Sequence, residues 1–319
     1  MTTCRFMQSL VKSYLDERRS AGFALKIAGD QLLAFARFAD QRRYRGPITE
    51  KLIFDWVQGC ATRPAAITWA RRLEVLLPFA KYCLRLDGKT YVPDRSLFGR
   101  AHRRLTPHIY TEGEIRDLLV AAGQLQPAGF LRPATYQTMF GLIAATGLRI
   151  SEALKLRLAD LDVSGSILTI RETKFTKSRL VPLHPSVCEA LSSYIVFRKR
   201  VPATPNSPLF VNDVGTQLHD RTVHSVFERL RTRLGWTARG SHPAPRIHDL
   251  RHTFICRRVL VWHKQGADID NAMLALATYV GHAKVSDTYW YLTGVPELMA
   301  LAGSRFETSS SSRRTSLHG

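Results

Sequence analysis

A few short stretches hold residue types suited to chemistry on a phosphate. In "ATGLRISEAL", Arg149 and Glu152 are three residues apart, so a helix beginning after Gly147 would carry both on one face. In "RIHDLRHTF", His248 and Arg251 have the same spacing and can present an imidazole and a guanidinium together. A guanidinium offers a fork of donors matched to phosphate oxygens, and an imidazole titrates near neutrality. The loop "TKFTK", residues 173–177, holds Lys174 and Lys177 between two β-rich runs. Finally, "VGHAKVSDTYWYLTG", residues 280–294, brings His282 and two tyrosines, Tyr289 and Tyr291.

Each stretch alone has a plainer explanation. Arg149 and Glu152 could be a surface ion pair of small value. The hairpin lysines could be solvated loop charges, and the tyrosines core packing. Zinc binding by His242, His248, His252 and His282 is a rival. The four-residue spacing of His248 and His252 suits it, but no Glu follows the first His as in H-E-x-x-H. The ordered set is more telling than its parts. Two Arg, a Lys, two His and a Tyr suit attack on a phosphodiester without a metal. The Arg pair would neutralise the non-bridging oxygens, a Tyr would be the nucleophile, and a Lys or His would protonate the leaving oxygen.

These residues need elements to hold them. The N-terminal part repeats a helical apolar period: Phe6, Leu10, Tyr14 and Leu15, then Ile27, Leu32, Phe35 and Phe38. Thr49 can cap a third helix through "EKLIFDWVQGC". A fourth runs over "PAAITWARRLEVLLPFAKYCLRL", where Pro78 is expected to kink it. Four such helices make a compact bundle over 1–86. Residues 87–105 lose the period and are rich in Lys and Arg, which suggests a basic linker. From Thr111, whose spacing to Glu114 fits a capping box, the pattern is helical again. The exception is "DLDV", "ILTIRE" and "SRLVPL", a small antiparallel sheet. A second part follows from about residue 106, and the polar tail over 308–319 is expected to be disordered. The fold class is thus mainly α with a small antiparallel β-sheet.

Charge narrows the partner. The 319 residues hold 46 Lys+Arg against 26 Asp+Glu, a formal net charge of +20. Residues 1–108 alone hold 20 Lys+Arg and 9 Asp+Glu, so both parts are positive. Such a field attracts polyanions and points to nucleic acid. Five scattered cysteines without a C-x-x-C pair suggest buried thiols in a reducing compartment. No apolar run is long enough to span a membrane, and no secretory signal is evident. Cytoplasmic placement, at the nucleoid, is the expectation.

The set "ATGLRISEAL", "TKFTKSRLVPL", "HDLRHTF", "VGH" and Tyr291 resembles the tyrosine recombinase (phage integrase) family over about residues 106–307. The helices before it are similar to that family's core-binding domain. The resemblance implies that Arg149 and Arg251 clamp the scissile phosphate and that Lys174 is the general acid, with Lys177 the second candidate. It implies that His248 assists proton transfer, His282 hydrogen-bonds the phosphate, Glu152 orients its neighbours and Tyr291 forms a 3′-phosphotyrosine. It implies double-stranded DNA as partner, no cofactor and no metal. It further implies a homotetramer on paired sites, with companion recombinases or DNA-bending proteins as further partners. The segment "YLTGVPELMALAGSRF", residues 291–306, would dock on a neighbouring protomer. Integration or transposition of a mobile element is the expected setting. The weighed alternatives are a type IB topoisomerase and a non-catalytic DNA-binding relative.

Overall fold

The computed structural model describes residues 6–59, 65–101, 105–171, 178–282 and 284–294, with residues 292–294 described for backbone only. Two compact units divide at 104/105.

The first unit has the expected four helices: α1 (Met7–Ser20), α2 (Lys26–Gln41), α3 (Glu50–Gly59) and α4 (Ala66–Asp87). Their apolar faces meet around Phe35, Trp56 and Phe79. Phe35 packs edge-on to Trp56 at 5.3 Å, and Tyr14 to Phe79 at 5.6 Å between ring centroids. Thr49 caps α3 by accepting from the Leu52 N–H at 3.3 Å. The first turn of α1 has no local side-chain cap. Instead Asp40 of α2 accepts from the Met7 and Gln8 N–H groups at 3.0 and 3.2 Å. Helix α4 continues through Pro78 without interruption.

Residues 91–98, within the expected basic linker, are anchored on this unit. The Tyr91 N–H donates to the Ile48 carbonyl at 2.7 Å. Phe98 packs against Phe54 and Trp69 at 5.4 and 5.9 Å. Aperiodic apolar residues, invisible to a search for helical spacing, tie the segment down.

The second unit surrounds α6 (Leu131–Thr146), whose Met139, Phe140, Leu142 and Ile143 are buried. Around it lie α5 (Glu112–Gly123), α8 (Pro185–Arg198) and α10 (Ile247–Lys264). The Thr111/Glu114 capping box starts α5, at 3.1 and 2.7 Å. Short α7 (Ile150–Lys155) leads into the sheet of β1 (Leu161–Asp162), β2 (Ile167–Ile170) and β3 (Arg179–Pro182). The sheet is antiparallel in order β1-β2-β3, with Leu168 opposite Val181, both fully buried. Helix α9 (Asp220–Arg233) adds Val223, Val226 and Phe227 to the same core. A further apolar cluster joins α10 to α11 (Ile269–Val280) and α12 (Ser286–Gly294).

Among the described residues no helix is long and apolar enough to cross a membrane. Cys83, Cys188 and Cys256 are buried.

Candidate active site

Two glycine turns carry the first part of the site. Gly147 ends α6 at φ +66°, and Gly281 ends α11 at φ +72°, a left-handed region open to glycine at little cost. Both are also crowded. A Cβ on Gly147 would lie 2.6 Å from Phe254 Cδ1, and one on Gly281 2.6 Å from Arg179 Nη1.

Arg149 and Arg251 converge on these turns. Arg251, on α10, donates to the Gly147 carbonyl at 2.6 Å and to the Val280 carbonyl at 2.8 Å. Arg149, at the start of α7, donates to the Gly281 carbonyl at 3.0 Å. Residues more than a hundred positions apart are thereby drawn to one place. Arg251 is only 1% exposed, yet among the described residues no carboxylate pairs with it. Burial, then the charge of Arg149, lowers its pKa to about 10, so it stays a cation at neutral pH. A buried cation with no paired carboxylate among the described residues makes a place for an anion.

Glu152 organises the cations around this place. Its carboxylate accepts from the Arg149 N–H at 3.0 Å and from the Arg149 guanidinium at 2.8 Å. It also accepts two bonds from Arg179 of β3, at 3.0 and 2.9 Å. Burial alone would raise its pKa; the bonds from Arg179 and Arg149 overcome that and hold it at about 2. The pair is thus no exposed surface bridge: Glu152 is 8% exposed. Arg179 was not singled out in the sequence, although its place at the start of β3 beside the basic loop was a usable signal.

Three imidazoles follow. His248 opens to solvent, but the atoms crowded around it, then Arg251 and Arg246, push its pKa down to about 4. His252, weighed only as a metal ligand, lies between His248 and Tyr291, at 4.6 and 5.2 Å between ring centroids. Its Nδ1 is buried without a hydrogen-bond partner among the described residues. His282 is held by Thr288, its Nδ1 being 2.7 Å from Oγ1. Burial, then Arg251 and Arg149, pushes its pKa down to about 3. All three rings are neutral near pH 7. Among the described residues no group of three or more His, Cys, Asp or Glu could hold a metal ion.

The two tyrosines separate cleanly. The Tyr289 hydroxyl donates to Asp270 of α11 at 2.6 Å. Tyr291 is 3% exposed and lies against His252 and parallel to His282, the latter at 6.2 Å and 9°. Burial raises its pKa to about 12, against the opposing pull of Arg251 and Arg149. The structure thus gathers Arg149, Glu152, His248, Arg251, His282 and Tyr291. Lys174 and Lys177 lie outside the described residues.

Residues 110–295 match the phage integrase family pattern. The chain belongs to the phage integrase family. As a tyrosine recombinase it is similar along almost its whole length to y4rB of Sinorhizobium fredii, a candidate integrase/recombinase. The two are 38% identical over 303 residues, covering 93% of this chain and 96% of that protein. Tyrosine recombinase XerC of Pelotomaculum thermopropionicum is 30% identical over 241 residues, 72% of each chain. Among solved structures, the Tn1549 transposon integrase with transposon right-end DNA superposes with TM-score 0.69 at 17% identity, covering 95% of this chain and 99% of that one. XerH bound to a palindromic difH substrate follows at TM-score 0.66 and 19% identity, covering 94% and 85%. These two likenesses speak to the fold, which this tyrosine-type site-specific recombinase shares.

Proposed function

We propose that the protein cleaves and rejoins double-stranded DNA through a 3′-phosphotyrosine on Tyr291. The carrying observation is the buried Arg251 cation, without a carboxylate partner among the described residues, close to Arg149, His282 and Tyr291. Arg149 and Arg251 neutralise the non-bridging oxygens of the scissile phosphate, and His282 donates to one of them. Glu152 holds Arg149 in place. The Tyr291 oxygen attacks phosphorus as the bond to the 5′ oxygen breaks. With its pKa raised to about 12, the phenol sheds its proton during attack rather than before it. Neutral His248 has the lone pair to assist that transfer. Lys174 protonates the departing 5′ oxygen. The phosphotyrosine keeps the bond energy of the cleaved linkage, so a new 5′ hydroxyl can reverse the step without ATP.

DNA as partner is supported by the net charge of +20 and by the DNA present in the related XerH and Tn1549 integrase structures. The relatives' names favour integration or transposition of a mobile element; a homotetramer acting on paired sites belongs to the same proposal. A nicked suicide duplex, which traps the covalent step, tests the site. Tyr291→Phe should abolish the protein–DNA adduct, and Tyr289→Phe should retain it. An adduct surviving in Tyr291→Phe defeats the assignment.

A further inference from the structure

The contact between His282 and Thr288 decides where the imidazole keeps its proton. Thr288 lies in the first turn of α12, its Oγ1 2.7 Å from His282 Nδ1 and the residue 0% exposed. A hydroxyl has one proton to donate, and a neutral imidazole has one donor and one acceptor nitrogen. Among the described residues, His282 Nδ1 is the one side-chain partner of this hydroxyl. If Nδ1 carried the ring proton, the hydroxyl hydrogen would be buried without an acceptor among the described residues, which is the costlier arrangement. With the hydroxyl donating, Nδ1 accepts and the ring proton sits on Nε2. The depressed pKa of His282, about 3, leaves a single ring proton at neutral pH. Arg251 and Arg149 are the strongest charges acting on this ring, and Tyr291 lies parallel to it.

We propose that Thr288 is a positioning residue that locks His282 as the Nε2–H tautomer, so that the ring can only donate, not accept, a hydrogen bond at the scissile phosphate. This rests on the function proposed above. It adds to that function the group that selects the tautomer, on which the direction of the hydrogen bond depends. Loss of the lock would turn a lone pair toward the phosphate in part of the molecules. That forfeits a share of the roughly 10²–10³-fold that one such donor is worth.

The test compares the full-length protein with Thr288→Val, which keeps the shape without the hydroxyl, and Thr288→Ser, which keeps the hydroxyl. Nitrogen and carbon NMR of labelled histidine reads the His282 tautomer, and the suicide duplex reads the cleavage rate. Expected are Nε2–H in the parent and in Thr288→Ser, and a mixture in Thr288→Val. Adduct formation in Thr288→Val should slow by about tenfold or more at unchanged DNA affinity, with Thr288→Ser restoring it. An unchanged tautomer in Thr288→Val, or a Thr288→Ser protein as slow as Thr288→Val, overturns the lock. Failure of the parent protein to form an adduct would overturn the phosphate role and the function beneath it. The spectra would judge the lock separately.

Discussion

At the scale of single residues, the site is a set of ionisable groups whose states are set by their neighbours. Glu152 is the clearest case, because it meets both Arg149 and Arg179 while 8% exposed. Its folded pKa of about 2 lies below the ordinary carboxylate value of 4.5. The unfolded chain therefore binds the proton more readily. The stability contributed by Glu152 is present above pH 4.5 and is lost as the pH falls toward about 2. Glu152→Gln leaves Arg179, whose side chain is 10% exposed, without its anion. The expected cost is about 3 kcal/mol at pH 7, or very roughly 10 °C in Tm for a unit of this size. Thermal melts should show the gap from the parent narrowing as the pH is lowered from 4.5. A gap that is independent of pH would mean that the loss is one of packing.

At the scale of elements, the residues of the candidate site hang from helix ends. Arg149 starts α7, His248 and Arg251 lie in the first turns of α10, and His282 follows α11. Gly281 joins these elements, since its carbonyl accepts from Arg149 and its missing Cβ leaves room for Arg179. Gly266 offers a matched control: its φ is +69°, and a Cβ there would meet nothing within 4 Å. Gly281→Ala and Gly266→Ala should share the cost of left-handed strain, about 1 kcal/mol. Only Gly281→Ala should also displace Arg179 and slow adduct formation. Equal cleavage by the two variants would show that the close contact at Gly281 does not position the site. Much at this scale was legible beforehand. The four N-terminal helices, the Thr49 cap, the Thr111/Glu114 box and the antiparallel strands all follow from local spacing and capping chemistry. The anchoring of residues 91–98 did not, because Tyr91 and Phe98 find their partners across the unit rather than along a helical period.

At the scale of the whole molecule, the +20 charge sets how the protein meets DNA. Binding should weaken linearly in log–log terms with salt, by about 0.9 per phosphate contacted. Filter binding or fluorescence anisotropy across a salt series would check it, and a flat response would contradict a backbone-dominated interface. What the sequence determined by itself was the inventory: an ordered set of Arg, His and Tyr residues, the helices that carry them and the sign of the field. Tertiary structure decided which groups meet. Arg149 reaches Gly281, Arg179 pairs with Glu152, and Thr288 holds His282. It also separated two tyrosines two residues apart, sending Tyr289 to Asp270 and Tyr291 to the histidines. The reason is physical. Apolar periodicity reports which face of an element avoids water, whereas buried polar groups such as Arg251 and Thr288 defy that pattern. They are tolerated only where distant backbone carbonyls and side chains satisfy them.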